Sequence, residues 1–179
     1  PSEGGGGPGV GIFQGDGNQI GGLAAGDANI VAYNGGNGLQ VQEGVGNRIR
    51  GNSIHSNGAL GIDLDSDGVT PNDSGDGDNG PNDLQNYPVL TLANSLLFNT
   101  QVEGTLNGLP GKQYRIDFYR TSPCDGSGYG EGRVAVSSKT IVTAADGSAS
   151  FSHTWPLATV PGHFITATAT QLILNNTSE

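Results

Sequence analysis

GVGIFQGDGNQIGG (9–22) and GLQVQEGVGNRIRG (38–51) are one pattern written twice. Alignment places Val10 on Leu39, Ile12 on Val41, Asn18 on Asn47 and Ile20 on Ile49, an offset of 29 residues. A second pair, NIVAYNGGNGLQV (29–41) and NSIHSNGALGIDL (52–64), places Asn29 on Asn52, Asn34 on Asn57, Leu39 on Ile62 and Val41 on Leu64, an offset of 23. The six-residue difference falls in GGLAAGDA (21–28), because loops absorb insertions and strands do not. Within each unit the apolar residues sit two apart, the period of a strand with one face inward. Units of twenty-odd residues with short strands and Gly/Asn corners meet the requirement of a parallel β-helix, in which each coil stacks its apolar residues on the next. Asn tolerates left-handed corners, and stacked amides bond along the axis. Asn34 over Asn57 and Asn29 over Asn52 are the expected ladders. The competing reading is a Gly/Asn-rich antiparallel sandwich.

The rest of the chain differs. From Tyr87 onward longer alternating runs appear: PVLTLA, LFNTQVEGTL, QYRIDFYR, RVAVSSKTIVT, SASFSHTW and HFITATATQLIL. Turn signals divide them, at NGLPGK, the Cys124–Gly132 loop, AADG and TVPG. Six or seven strands with no helical period predict an immunoglobulin-like antiparallel β-sandwich. Trp155, Tyr114, Phe118, Phe151 and Phe164 are its expected core aromatics. The expected organisation is all-β: parallel β-helix coils over 1–64, an acidic junction over 65–86 and the sandwich over 87–179.

Charge follows the same division. Residues 1–90 carry 11 acids and 2 bases, whereas residues 91–179 carry 6 acids and 5 bases. An acidic surface repels phosphates and anionic lipid, which excludes nucleic acid as a partner. No apolar run approaches the ~18 residues of a membrane span, so no membrane insertion is expected. The single Cys124 makes no internal disulfide, and no His/Cys spacing resembles a zinc site.

The chemistry concentrates in DLDSDGVTPNDSGDGDNGPND (63–83), which has seven aspartates and no Lys, Arg or His. DLDSDG places oxygen ligands at positions 1, 3 and 5 before a Gly, the start of a calcium loop. Ser74 stands where a bidentate Glu would close a helix-loop-helix calcium hand, so the cage must be of another kind. The expected metal ligands are Asp63, Asp65, Asp67, Asp73, Asp76 and Asp78, with Asn72, Asn79 and Asn82 as neutral donors and calcium as the ion. A solvated linker is the plain alternative. Asp63 and Asp65 would also serve as an acid/base pair on a glycoside if held about 5 to 9 Å apart. A lyase would need a cation near the substrate carboxylate, and only Arg48 and Arg50 are available to the repeats. His55, at a predicted corner with no evident partner, reads as a surface residue.

GNQIGGLAAGDANIVAYNGGNGLQV, GNRIRGNSIHSNGALGIDL, DGVTPND, NGPNDLQNYPVL and CDGSGYGEG (124–132) together resemble the last coils, exit segment and following sandwich of large secreted bacterial right-handed parallel β-helix repeat proteins. The resemblance covers nearly the whole chain. It implies a right-handed helix and an extracellular or cell-surface location. The expected function is non-enzymatic: a structural or adhesive segment, stabilised by calcium and able to self-associate. Its expected partners are upstream coils of the same protein or other copies of the chain, and polysaccharide. The alternatives are a fragment of a β-helix polysaccharide lyase or hydrolase, and a carbohydrate-binding module acting through Trp155 or Tyr129.

Overall fold

The computed structural model describes residues 6–124 and 128–179. Strands β1 (Val10–Ile12), β2 (Gln19–Gly21) and β3 (Ile30–Ala32) form the first repeat. Strands β4 (Leu39–Val41), β5 (Arg48–Arg50) and β6 (Ser53–His55) form the second, and β7 (Ile62–Leu64) opens a third. They pair in parallel as β1–β4–β7, β2–β5 and β3–β6. Parallel neighbours need a connection of about a dozen residues, and the remainder of each repeat supplies it. The register matches the sequence repeat: Val10 lies opposite Leu39, Ile20 opposite Ile49, Leu39 opposite Ile62 and Val41 opposite Leu64. Residues 22–29, between β2 and β3, hold the insertion as a loop, in which Asp27 accepts a hydrogen bond from the Ala24 amide at 3.1 Å.

Ile12, Val31, Leu39, Val41, Ile49, Ile54, Ile62 and Leu64 fill the space between the ladders. The corners are tight. Gly51 has φ +69°, and a Cβ there would lie 2.1 Å from the carbonyl oxygen of Gly22 in the preceding repeat. Only glycine meets both the left-handed backbone and the close approach. Asn amides bond across the same stack: Asn57 Oδ1 accepts from the Asn34 amide and Nδ2 at 3.2 and 2.8 Å. Asn52 does the same for Asn29 at 3.1 and 3.0 Å, and Asn47 for Asn18 at 3.1 and 2.8 Å.

Residues 65–86 contain a short 3-10 turn, Pro81–Leu84. Six strands follow: β8 (Val89–Ser95), β9 (Thr100–Asn107), β10 (Gln113–Thr121), β11 (Val134–Val142), β12 (Ser148–Trp155) and β13 (Phe164–Gln171). They make two antiparallel sheets, β12–β9–β8 and β11–β10–β13. Tyr114, Ile116 and Phe118 of one sheet share a core with Val102, Leu106, Phe151 and Trp155 of the other, the arrangement of a β-sandwich. Trp155 stacks on Phe118 with ring centroids 5.6 Å apart.

Two expectations about side chains are corrected. Phe164 is exposed, because it opens β13 at the end of the sheet, where the core has run out. His55 is buried within β6 rather than at a surface corner; it packs edge-on against Tyr33, and its Nδ1 meets Ser56 Oγ at 3.1 Å. Of the CDGSGYGEG segment, residues 125–127 lie outside the described residues.

Candidate functional site

The last repeat does not end in solvent. At each ladder, groups from the junction and the sandwich take the positions that another repeat would occupy. Glu131 Oε1 accepts from the Asn57 amide and Nδ2 at 3.1 and 2.7 Å, the pair of bonds that Asn57 itself accepts from Asn34. Asn82 Oδ1 accepts from the Asn47 amide at 2.9 Å, and its Nδ2 donates back to the Asn47 carbonyl at 2.7 Å. The Ile49 amide of β5 donates to Thr177 Oγ1 at 3.0 Å, and the Ile54 amide of β6 to the Gly132 carbonyl at 2.9 Å. The Leu64 amide of β7 donates to Glu179 Oε1 at 2.9 Å. Strand edges that would otherwise be free are thereby satisfied.

Asn82, Asp83 and Leu84 adopt positive φ of 50°, 52° and 45°. Such a run is unfavourable for non-glycine residues. It is held by the two Asn47 bonds, by Asn82 Nδ2 donating to the Thr177 carbonyl at 3.0 Å, and by Asn176 Nδ2 donating to Asp83 Oδ2 at 2.7 Å. An ion pair fixes the other side: the Arg50 guanidinium donates to both oxygens of Asp117 at 2.6 and 3.2 Å. Both side chains are buried, and Arg115 reaches the same carboxylate at 3.3 Å.

Glu179 is held between the Leu64 and Thr70 amides, and burial pushes its carboxyl up to about 7. A cavity of about 250 Å³ lies between the repeats and the sandwich, with Ile54, Ile62, Leu90 and Ile165 among its walls.

The six predicted metal ligands separate into two groups. Asp73, Asp76 and Asp78 come together, with one ligand atom from each within 4.8 Å of the others. Oxygens on one calcium ion are at most about 5 Å apart, so the spacing fits. Asp76 is the most enclosed: its Oδ1 accepts from the Asn86 amide at 2.7 Å, and its Oδ2 from Gln85 Nε2 at 2.8 Å and Tyr114 Oη at 3.3 Å. Burial raises its pKa to about 6, and the neighbouring Asp73 adds to the shift. Burial and then Asp73 also raise that of Asp78. Asp78 Oδ1 is buried with no hydrogen-bond partner among the described residues, an acceptor that a cation would satisfy. Among the described residues this is the one group of three acidic, His or Cys side chains spaced to hold a metal ion.

Asp63, Asp65 and Asp67 do not join this group. Asp63 is 3% exposed; its Oδ2 accepts from Asn37 Nδ2 at 2.6 Å and its Oδ1 from the Ser66 amide at 3.1 Å. Burial raises its pKa despite those bonds. Asp65 and Asp67 are exposed. β7 ends at Leu64 and Asp65 turns out at φ 76°, so Asp63 and Asp65 do not share one strand face. Arg50 is held by Asp117, and Arg48 Nη2 donates to Gln19 Oε1. Two of the three expected neutral donors are otherwise engaged: Asn72 exchanges two bonds with the Tyr87 backbone at 2.9 Å each, and Asn82 caps the repeats.

Sequence reasoning did not find Glu131, Asp117, Thr177 or Glu179. Each lies more than sixty residues from its partner, beyond any local pattern. The acidic composition of residues 63–83 marked the junction but not the distant groups that close it.

No protein-family model matches the chain, and a search of curated proteins finds no match.

Proposed function

We propose that this chain is the segment that ends a right-handed parallel β-helix within a secreted or cell-surface bacterial protein, its last coils closed by an immunoglobulin-like sandwich. Its role is structural or adhesive and not enzymatic. The observation that carries this reading is the Asn34–Asn57–Glu131 relay, in which a sandwich carboxylate takes the position of the next corner amide. The sheet order β11–β10–β13 against β12–β9–β8 supports the immunoglobulin-like assignment. The secreted, bacterial and adhesive parts rest on the family resemblance of the repeat, exit and sandwich segments.

Calcium at Asp73, Asp76 and Asp78 is proposed to lock the junction. The three carboxylates would bind the ion, and its charge would offset their mutual repulsion. Because Asn86 and Tyr114 hold Asp76, the ion would tie the junction to β10 and, through Asn86 Nδ2 and the Asn107 carbonyl at 2.9 Å, to β9.

Two measurements test the proposal. Glu131→Ala should lower the urea midpoint, and Glu131→Gln, which keeps the acceptor, should restore it; equal midpoints for all three proteins would remove the cap. Calcium at a hundredfold excess over Kd should add about 2.7 kcal/mol, and sodium chloride at matched ionic strength should not substitute for it. Asp78→Asn should weaken the effect and Asp65→Asn should leave it intact. If calorimetry shows no saturable calcium binding, the run is a solvated linker.

A further inference from the structure

Among the described residues, no strand pairs with the end of the stack opposite the sandwich. β1, β2 and β3 each form the outer edge of their ladder. Two of their inward residues are incompletely covered: Val10 and Ile20 are half-buried, whereas their partners Leu39 and Ile49 are 0% and 1% exposed; Ile12 and Val31 are already buried. The amide ladders have a direction as well. Asn18, Asn29 and Asn34 each donate a backbone N–H and an Nδ2 toward the sandwich end. No described residue donates to their own Oδ1 atoms, while those of Asn47, Asn52 and Asn57 each accept two bonds.

The chain also enters in register. The Gly36 amide donates to the Gly7 carbonyl at 3.2 Å and the Gly9 amide to the Asn37 carbonyl at 3.0 Å. One repeat further on, the Gly58 amide donates to the Gly36 carbonyl at 3.1 Å. Residues 7–9 therefore lie on the corner stack as the closing corner of a repeat would.

Building on the β-helix reading above, we propose that this end receives one further coil of the same polarity, continuous with this chain through Gly7–Gly9 and carrying amide donors at its three corners. A second copy is a poor occupant. A two-fold copy would set acceptor against acceptor at all three corners and run its strands antiparallel to β1, β2 and β3. The opposite end of any copy is already capped by Glu131, Asn82 and Thr177. Hydrogen-bond polarity thus selects the occupant, since an unmatched buried acceptor is costly.

The test inserts a copy of residues 39–61 between Gly9 and Val10, which places the copied Asn47, Asn52 and Asn57 over Asn18, Asn29 and Asn34. Amide exchange in β1, β2 and β3 should slow by at least about tenfold, with a raised urea midpoint. The same insertion carrying Ala at its three corner Asn positions should lose most of that protection. Unchanged exchange in β1–β3, with Trp155 fluorescence showing an intact sandwich, would overturn the proposal. Sedimentation velocity on the unaltered chain gives an answer that needs no new coil to fold: a dimer abolished by Ile12→Lys would make a second copy the occupant. If Glu131→Ala destabilises the chain and the insertion gives no protection, only this inference falls; if Glu131→Ala is silent, the capped-helix reading falls first.

Discussion

Asn57 shows how much one corner side chain carries. It accepts two bonds from Asn34 and donates to the Val31 carbonyl at 3.1 Å and to Glu131. Asn57→Leu keeps the approximate volume and leaves partners on both sides unpaired, so the urea midpoint should fall by an amount equivalent to about 1 to 3 kcal/mol. Asp117 carries a different load, because it neutralises a guanidinium that is itself buried. Asp117→Asn leaves that charge uncompensated, and chemical denaturation should show a loss of about 3 to 5 kcal/mol. Exposed Asp67→Asn should change stability by less than about 0.5 kcal/mol.

At the scale of elements, β7 is the test case, because one edge meets β4 and the Leu64 amide meets a carboxylate. Burial holds the pKa of Glu179 at about 7, above its ordinary value of 4.5. The folded state therefore binds more protons than the unfolded state between those values. Its contribution to stability is complete below about pH 4.5 and is lost as pH rises through about 7. Urea midpoints measured from pH 5 to 8 in chelator should fall, and Glu179→Gln should flatten the decline. Three-residue strands such as β5 and β6 have little stability of their own, so Gly51→Ala, which forces a side chain onto the Gly22 carbonyl, should disturb both ladders. Loss of amide protection across β2, β3, β5 and β6 is the expected signature, larger than any loss in β8–β13.

For the whole molecule, the bonds of the cap tie the repeats to the sandwich, and the two should unfold as one cooperative unit. Arg50–Asp117, Asn57–Glu131, Ile49–Thr177 and Leu64–Glu179 all cross between them. Trp155, the single tryptophan, reports the sandwich core, while far-UV circular dichroism reports both parts. The two probes should give coincident transitions. Asp117→Asn combined with Glu131→Ala should separate them, with the repeats unfolding first. Coincident curves in the double variant would show that the apolar contacts alone couple the halves.

The repeat was legible because its cause is local and periodic: apolar residues two apart, glycine where neighbouring corners approach, and an Asn at each corner, all copied at offsets of 29 and 23 that the strand registers reproduce. The sandwich strands were legible for the same reason, through alternation and turn residues. Composition also marked the acidic junction, but it could not divide six aspartates by role. Asp63 and Asp76 differ in what folds over them, Asn37 in one case and Asn86, Gln85 and Tyr114 in the other. Only the tertiary structure brought Glu131 under Asn57 and Asp117 against Arg50, because a cap is a meeting of surfaces distant in sequence. A repeat pattern states how a stack continues; where it stops depends on which distant groups satisfy its last hydrogen bonds.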